Sequence, residues 1–138
     1  MEFRKVTDSF TVSPQIEPGD LREIASAGFT TVVNNRPDGE EDDQSSAASL
    51  LASALQERLH YRHIPVVGSA ISDEDVSDFR AVLDEAYGPV FAFCRSGMRS
   101  MKLWALANAG RYSADEIIKL ARRAGYDLEP MAPLLKKS

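Results

Sequence analysis

Residues 90–100 read VFAF-CRSGMRS, and this stretch decides the fold. Val90 to Phe93 is an unbroken apolar run, as expected of a central strand covered on both faces. It stops at Cys94, passes through a loop of Arg95, Ser96, Gly97 and Met98, and enters a helix at Arg99-Ser100 that reaches about Ala109. Outward from this unit the pattern repeats. Phe29 to Asn34 is a β-branched run and a second strong strand; Tyr61 to Ile64 is a strand stopped by Pro65. Phe3 to Val6 and Phe10 to Val12 are short strands separated by the turn residues Thr7-Asp8-Ser9. Between the strands lie helical patterns at Pro18–Ala27, closed by Gly28, and at Ser46–Leu59. The pairs Ser72…Asp75 and Ser113…Glu116 open two more, the second ending at Gly125, and a short helical tail spans Pro130 to Leu135. Strands alternating with helices predict an α/β fold: a mostly parallel central sheet flanked by helices.

The chain has 138 residues, 43% hydrophobic and 27% charged, the size and composition of one globular domain over residues 1–138. A net charge of −5 disfavours a nonspecific grip on nucleic acid or an anionic membrane surface. No apolar run approaches the length of a membrane span, and MEFRKVTDSF lacks the apolar stretch of a secretory signal. One cysteine cannot form an internal disulfide. The expected setting is the cytoplasm, with no nucleic-acid or membrane partner.

The chemistry is expected at Cys94. In an open α/β sheet, ligands bind beyond the carboxyl ends of the strands, against the N-terminus of the next helix. Unpaired amides and the positive end of the helix dipole favour an anion there, and stabilise a thiolate. Gly97 lets the backbone turn its amides inward, and Arg99 can grip a tetrahedral oxyanion through two parallel N–H bonds. The bland alternative is that Cys94 is a small buried hydrophobe at a strand end. Strand, glycine-containing loop, two arginines and helix start together favour a nucleophile facing a small anion.

CRSGMRS, with VSPQI at 12–16, NNRPDGEE at 34–41 and IPV at 64–66, resembles the phosphatase-like domain of beta-lactamase-hydrolase-like proteins. That domain is also described as the sulfur-transferase part of bifunctional sulfur transferase/dioxygenase proteins. The resemblance covers about residues 3–110 and implies a protein-tyrosine-phosphatase-like fold. It leaves two chemistries open. Phosphatases of that fold are expected to carry histidine before the cysteine, five residues between cysteine and arginine, and a separate aspartic general acid. Here Phe93 precedes Cys94, and four residues separate Cys94 from Arg99. By resemblance to dual-specificity phosphatases, the acid belongs in the loop after Tyr61–Ile64. That loop reads PVVGSA, without a carboxylate, and Asp73 and Asp75 further on read as helix-capping residues.

C-R-S-G-M-R is also similar to the active loop of rhodaneses, commonly Cys-Arg-x-Gly-x-Arg. In that chemistry the thiolate takes a sulfane sulfur from thiosulfate or a persulfide and holds it as a persulfide. Sulfite and thiolates leave as stable anions, so no general acid is required. The sequence alone therefore ranks a Cys94 sulfurtransferase first, a Cys94 phosphatase acting on phosphate esters second, and a silent anion-binding module third. The catalytic set expected is Cys94, Arg99 and Ser100, the serine either donating to the Cys94 sulfur or serving the helix start. Arg95, Ser96, Gly97 and Met98 line the substrate. No cofactor is expected. In the bifunctional relatives the domain is fused to a persulfide dioxygenase, so the resemblance implies such an enzyme as a separate partner.

Outside the loop the signals are weaker. NNRPDG borders the same pocket by topology, so Arg36 can bind the anion or pair with the acidic loop. Asp38 can serve as an acid or orient an arginine. Glu40-Glu41-Asp42-Asp43 reads as a solvated loop. His60 and His63 point to opposite faces of a strand and share no metal. Leu103, Trp104 and Ala107 at helical spacing read as core.

Overall fold

The computed structural model describes residues 1–136. Among them five strands form one sheet in the order β1-β2-β5-β3-β4. They are β1 (Arg4–Thr7), β2 (Phe10–Ser13), β3 (Thr31–Asn34), β4 (His60–His63) and β5 (Val90–Phe93). Only the β1–β2 hairpin is antiparallel; β2, β5, β3 and β4 run parallel, with Val12, Ala92 and Val33 in register across the centre. The parallel α/β expectation thus holds, with strand limits displaced by one or two residues.

β5 lies in the middle and all four of its residues are buried. Phe91 and Phe93 face α1 (Asp20–Ser26) and α2 (Ala47–Gln56), where they meet Leu21, Ile24, Leu50 and Ala54. Val90 and Ala92 face α3 (Asp73–Glu85), α4 (Met98–Ala107), α5 (Ala114–Arg123) and the short α6 (Ala132–Leu135). Phe10 anchors that second layer between Phe79, edge-on, and Trp104, stacked at 5.7 Å. Truncating an aromatic at such a depth costs about 3–5 kcal/mol. Both faces are covered, which is why the central strands carry apolar runs rather than alternation.

The serine boxes open helices as read: Ser72 and Asp75 bond reciprocally at the start of α3, and Ser113 accepts the Glu116 amide at the start of α5. α4 departs from expectation by beginning at Met98, so Arg99 and Ser100 lie within its first turn. Gly97, the residue before it, has φ 93°, a left-handed conformation that glycine adopts without strain. The carboxyl ends of β2, β3, β4 and β5 converge on this helix start. Among the described residues no helix is long and apolar enough to cross a membrane.

Candidate active site

Cys94 follows the last residue of the central strand and is fully buried. Its Sγ accepts the Gly97 amide at 3.1 Å, so the loop curls around the sulfur as it enters α4. The N-terminus of a ten-residue helix therefore points at the thiol. Two carbonyls of the loop are held from outside. The Gln15 amide donates to the Arg95 carbonyl at 3.2 Å, and the Tyr126 hydroxyl donates to the Ser96 carbonyl at 2.9 Å. The Ser96 hydroxyl takes the Met98 amide at 3.2 Å.

Arg99 reaches from the first turn of α4 across to the loop after β3. Its Nη1 and Nη2 donate to the two carboxylate oxygens of Glu40 at 2.8 and 2.9 Å, and Nη1 also donates to the Val66 carbonyl at 2.7 Å. A guanidinium has five N–H donors in a fixed plane. Glu40 and Val66 take three, and those left, the Nε–H and one on Nη2, lie along one edge. That edge forms a fork for an oxyanion. The Arg99 pKa is raised, first by the hydrogen bond to Glu40, against burial, and also by the charge of the nearby Cys94. Glu40 is held down at about 2, chiefly by its hydrogen bond with Arg99 and despite its own burial.

Glu40 is itself held from the other side. Arg36, with its side chain 3% exposed, donates from Nε to Glu40 at 2.8 Å, from Nη2 to Glu41 at 2.7 Å and from Nη1 to Gln15 at 2.9 Å. Its pKa is raised; burial opposes the rise, and the hydrogen bonds to Glu40 and Glu41 outweigh it. Two alternatives stood open for Arg36, and the geometry shows the pairing with the acidic loop. Residues 40–43 are all exposed, as the solvated-loop reading had it, and the Glu41 side chain is 46% exposed; what that reading lacked is that the Glu40 and Glu41 carboxylates pair with buried Arg36.

The remaining expected residues fall as follows. Ser100 is buried and donates its hydroxyl proton to Asn35 Oδ1 at 2.7 Å, while Asn35 Nδ2 donates to the Ile64 carbonyl at 2.9 Å. Its one proton thus ties the start of α4 to β3 and β4 rather than reaching the sulfur. Asp38 Oδ1 accepts the amide of Ala47, the first residue of α2, at 2.7 Å, which makes it a helix-start ligand. Arg95 is largely exposed, with its Nε 3.4 Å from Glu41. His63 Nε2 donates to the Arg36 carbonyl at 2.8 Å, steadying the same loop. Four residues that shape the site were not assigned to it from the sequence: Gln15, Asn35, Glu40 and Tyr126. For Glu40 there was a signal, a carboxylate four residues beyond an arginine in a loop rich in turn residues. For Tyr126 there was none.

The site thus gathers a buried thiol under a helix N-terminus, an amide on its sulfur and an arginine with one open edge. Comparison with known proteins agrees with that picture. A beta-lactamase hydrolase-like protein of Xylella fastidiosa (strain Temecula1) is 30% identical over 139 aligned residues, covering 99% of this chain and 32% of its own. The chain spans about a third of the length of the curated relatives it matches. A crystal structure of a candidate phosphatase from Neisseria meningitidis superposes with a TM-score of 0.83 at 35% identity, over 95% of this chain and 94% of that one. The active form of Tk-PTP gives 0.76 at 18% identity, over 96% and 92% of the two chains, a likeness of fold alone. The fold is that of protein-tyrosine-phosphatase-like proteins. Residues 2–111 match the model of the beta-lactamase hydrolase-like protein, phosphatase-like domain, and the chain belongs to that family.

Proposed function

We propose that the chain is a cysteine-dependent phosphatase whose substrates release a leaving group that is already a stable anion. The observation that carries this is the open edge of Arg99 beside a Cys94 sulfur that receives a loop amide. The sequence alone put sulfur transfer first; a phosphatase-like family and a candidate phosphatase at 35% identity favour the phosphatase reading instead.

In this mechanism the Cys94 thiolate attacks phosphorus, forming an S–P bond as the bond to the leaving oxygen breaks. Arg99, through Nε and Nη2, and the inward amides of Ser96 and Gly97 stabilise the equatorial oxygens. Arg95 at the rim adds field. Water then cleaves the S–P bond, releasing phosphate and restoring the thiolate. Ser100, Arg36 and Asp38 support this geometry without touching the substrate.

The leaving-group restriction follows from what faces the substrate. The loop after β4, residues 65–71, has no carboxylate. Glu40 is ionised down to about pH 2 and has no proton to give at neutral pH. A general acid contributes about 10²–10⁴ in rate, so alkyl phosphates, whose oxyanions are basic, are slow by that factor. Aryl phosphates with acidic phenols, acyl phosphates and phosphoanhydrides escape the penalty.

The same missing acid favours a second reading, rhodanese-type transfer of a sulfane sulfur through a Cys94 persulfide, since sulfite also leaves without a proton. One experiment separates them. The protein is treated with thiosulfate and weighed intact, and in parallel is given acetyl phosphate and p-nitrophenyl phosphate. Steady phosphate release with no added sulfur is expected. A gain of one sulfur that cyanide removes, without phosphate release, reverses the order.

A further inference from the structure

Helix α5 ends in a cap that aims one side chain at the Cys94 loop. Gly125 takes φ 99°, the Gly125 amide donates to Arg122 O at 3.0 Å, and the Tyr126 amide reaches back to Ala121 O at 2.9 Å. This paired closure is the Schellman arrangement, in which the residue after the glycine folds back onto the helix layer. Tyr126 is consequently 4% exposed, with the Arg4 guanidinium of β1 over its ring at 5.2 Å.

Its hydroxyl donates to the Ser96 carbonyl at 2.9 Å. In a trans peptide the C=O of one residue and the N–H of the next point in opposite directions. The Ser96 carbonyl and the Gly97 amide belong to one such unit, and the Gly97 amide meets Cys94 Sγ at 3.1 Å. Tyr126 therefore grips the outer end of the peptide whose inner end touches the nucleophile. The fit is close: a Cβ on Gly97 would overlap the Tyr126 hydroxyl and lie 2.9 Å from Val12 Cγ1. The neighbouring unit is held in the same sense, with the Arg95 carbonyl bound by the Gln15 amide and the Ser96 amide directed the other way.

We propose that Tyr126 is a positioning residue of the active site, holding the 96–97 peptide so that the Gly97 amide faces the Cys94 sulfur and the anion bound above it. Tyr126 lies outside residues 2–111, the part matched by the family model. The part of the inference that concerns the bound anion rests on the phosphatase reading; the part that concerns the peptide does not.

The test compares the full chain, Tyr126→Phe and Tyr87→Phe, the last removing a hydroxyl from a side chain 90% exposed. Three quantities are read: the Gly97 amide resonance without ligand, protection of Cys94 from iodoacetamide by inorganic phosphate, and the thermal midpoint. Losing one directed hydrogen bond should weaken phosphate protection about three- to tenfold. The Gly97 resonance should move in Tyr126→Phe and stay in place in Tyr87→Phe. A Gly97 resonance and a phosphate protection constant both unchanged in Tyr126→Phe overturn the proposal. If phosphate fails to protect even the unaltered chain, the phosphatase reading falls, and the ligand-free Gly97 resonance still decides the role of Tyr126. Should Tyr126→Phe not fold, Arg4→Met, which unseats the ring without removing its hydroxyl, is read by the same resonance: a shift supports the role and no shift overturns it.

Discussion

Two loops at the carboxyl edge of the sheet are built in opposite ways. The loop at 94–99 is fastened from several directions: Gln15 and Tyr126 hold its carbonyls, Glu40 holds Arg99, and Asn35 ties down Ser100 just beyond it. The loop after β4 runs exposed from Val67 to Ala70, with no ionisable side chain between Pro65 and Ile71. Its firm points are Val66, whose amide donates to Asn35 O at 3.1 Å and whose carbonyl accepts from Arg99. On the phosphatase reading, binding and attack thus rest on the fastened loop, while residues 65–71 hold no carboxylate to protonate a leaving group. Rate should accordingly depend steeply on the first loop and hardly at all on carboxylates near the second.

The sharpest way to break this contrast is at the nucleophile. Cys94→Ser should lower turnover on the order of 10³-fold or more while leaving the melting temperature close to that of the parent, because a serine hydroxyl stays protonated at neutral pH. Steady-state hydrolysis at the parental rate would place the nucleophile elsewhere. Next comes Arg99→Lys, which replaces a planar fork by a point charge. A fall of about 10²-fold in kcat/KM for p-nitrophenyl phosphate is expected, from loss of one preorganised oxyanion donor pair.

Glu40→Gln is a finer probe. It keeps one hydrogen bond to Arg99 but removes the charge and the paired geometry, so KM should rise about tenfold, the factor that follows from weakening a charge-assisted bond. The pH profile adds a check of sign. A carboxylate held at about 2 is ionised at every pH where the protein is assayed, so it gives no limb between pH 4 and 7. Whatever stability its pairing contributes is present above the ordinary glutamate range and is lost as pH falls from there through about 2. The smallest effect belongs to the second loop. Asp73→Asn, the nearest carboxylate following it in the chain, should change kcat less than about twofold for aryl phosphates, against the 10²–10⁴ of a true general acid. A hundredfold loss would mean that α3 supplies the proton after all.

How much of this could be read in advance differs by residue. The β5–Cys94–α4 unit was legible because apolar continuity, a turn glycine and a helix start are local signals, and the lack of an acid at 65–71 could be seen directly. Glu40 and Glu41 are exposed as read, but their pairing with Arg36 was not legible, because it depends on Arg36 being buried beneath the loop against Gln15, 21 positions away. Ser100 was placed at the helix start and in the catalytic set, with its hydroxyl's role left open, because the partner that takes its proton, Asn35, lies 65 positions away. Tyr126 depends on the docking of α5 behind the loop, a tertiary fact without any trace in spacing. The choice between sulfur and phosphorus was weighed on the loop's length and rhodanese-like pattern and on a missing acid; the acid describes the leaving group rather than the atom attacked.

On the phosphatase reading, the pairing of Glu40 and Glu41 with Arg36, Arg95 and Arg99 also bears on how long a product stays. Three guanidiniums against two carboxylates leave a single formal positive charge. An arriving phosphate therefore meets directed N–H groups and one net positive charge, rather than a strongly basic well. Affinity is set by orientation, which distinguishes a tetrahedral transition state from the free inorganic ion better than bulk attraction does. Residence of the released phosphate should be brief, and occupancy should vary little with ionic strength, since few unscreened charges act at a distance.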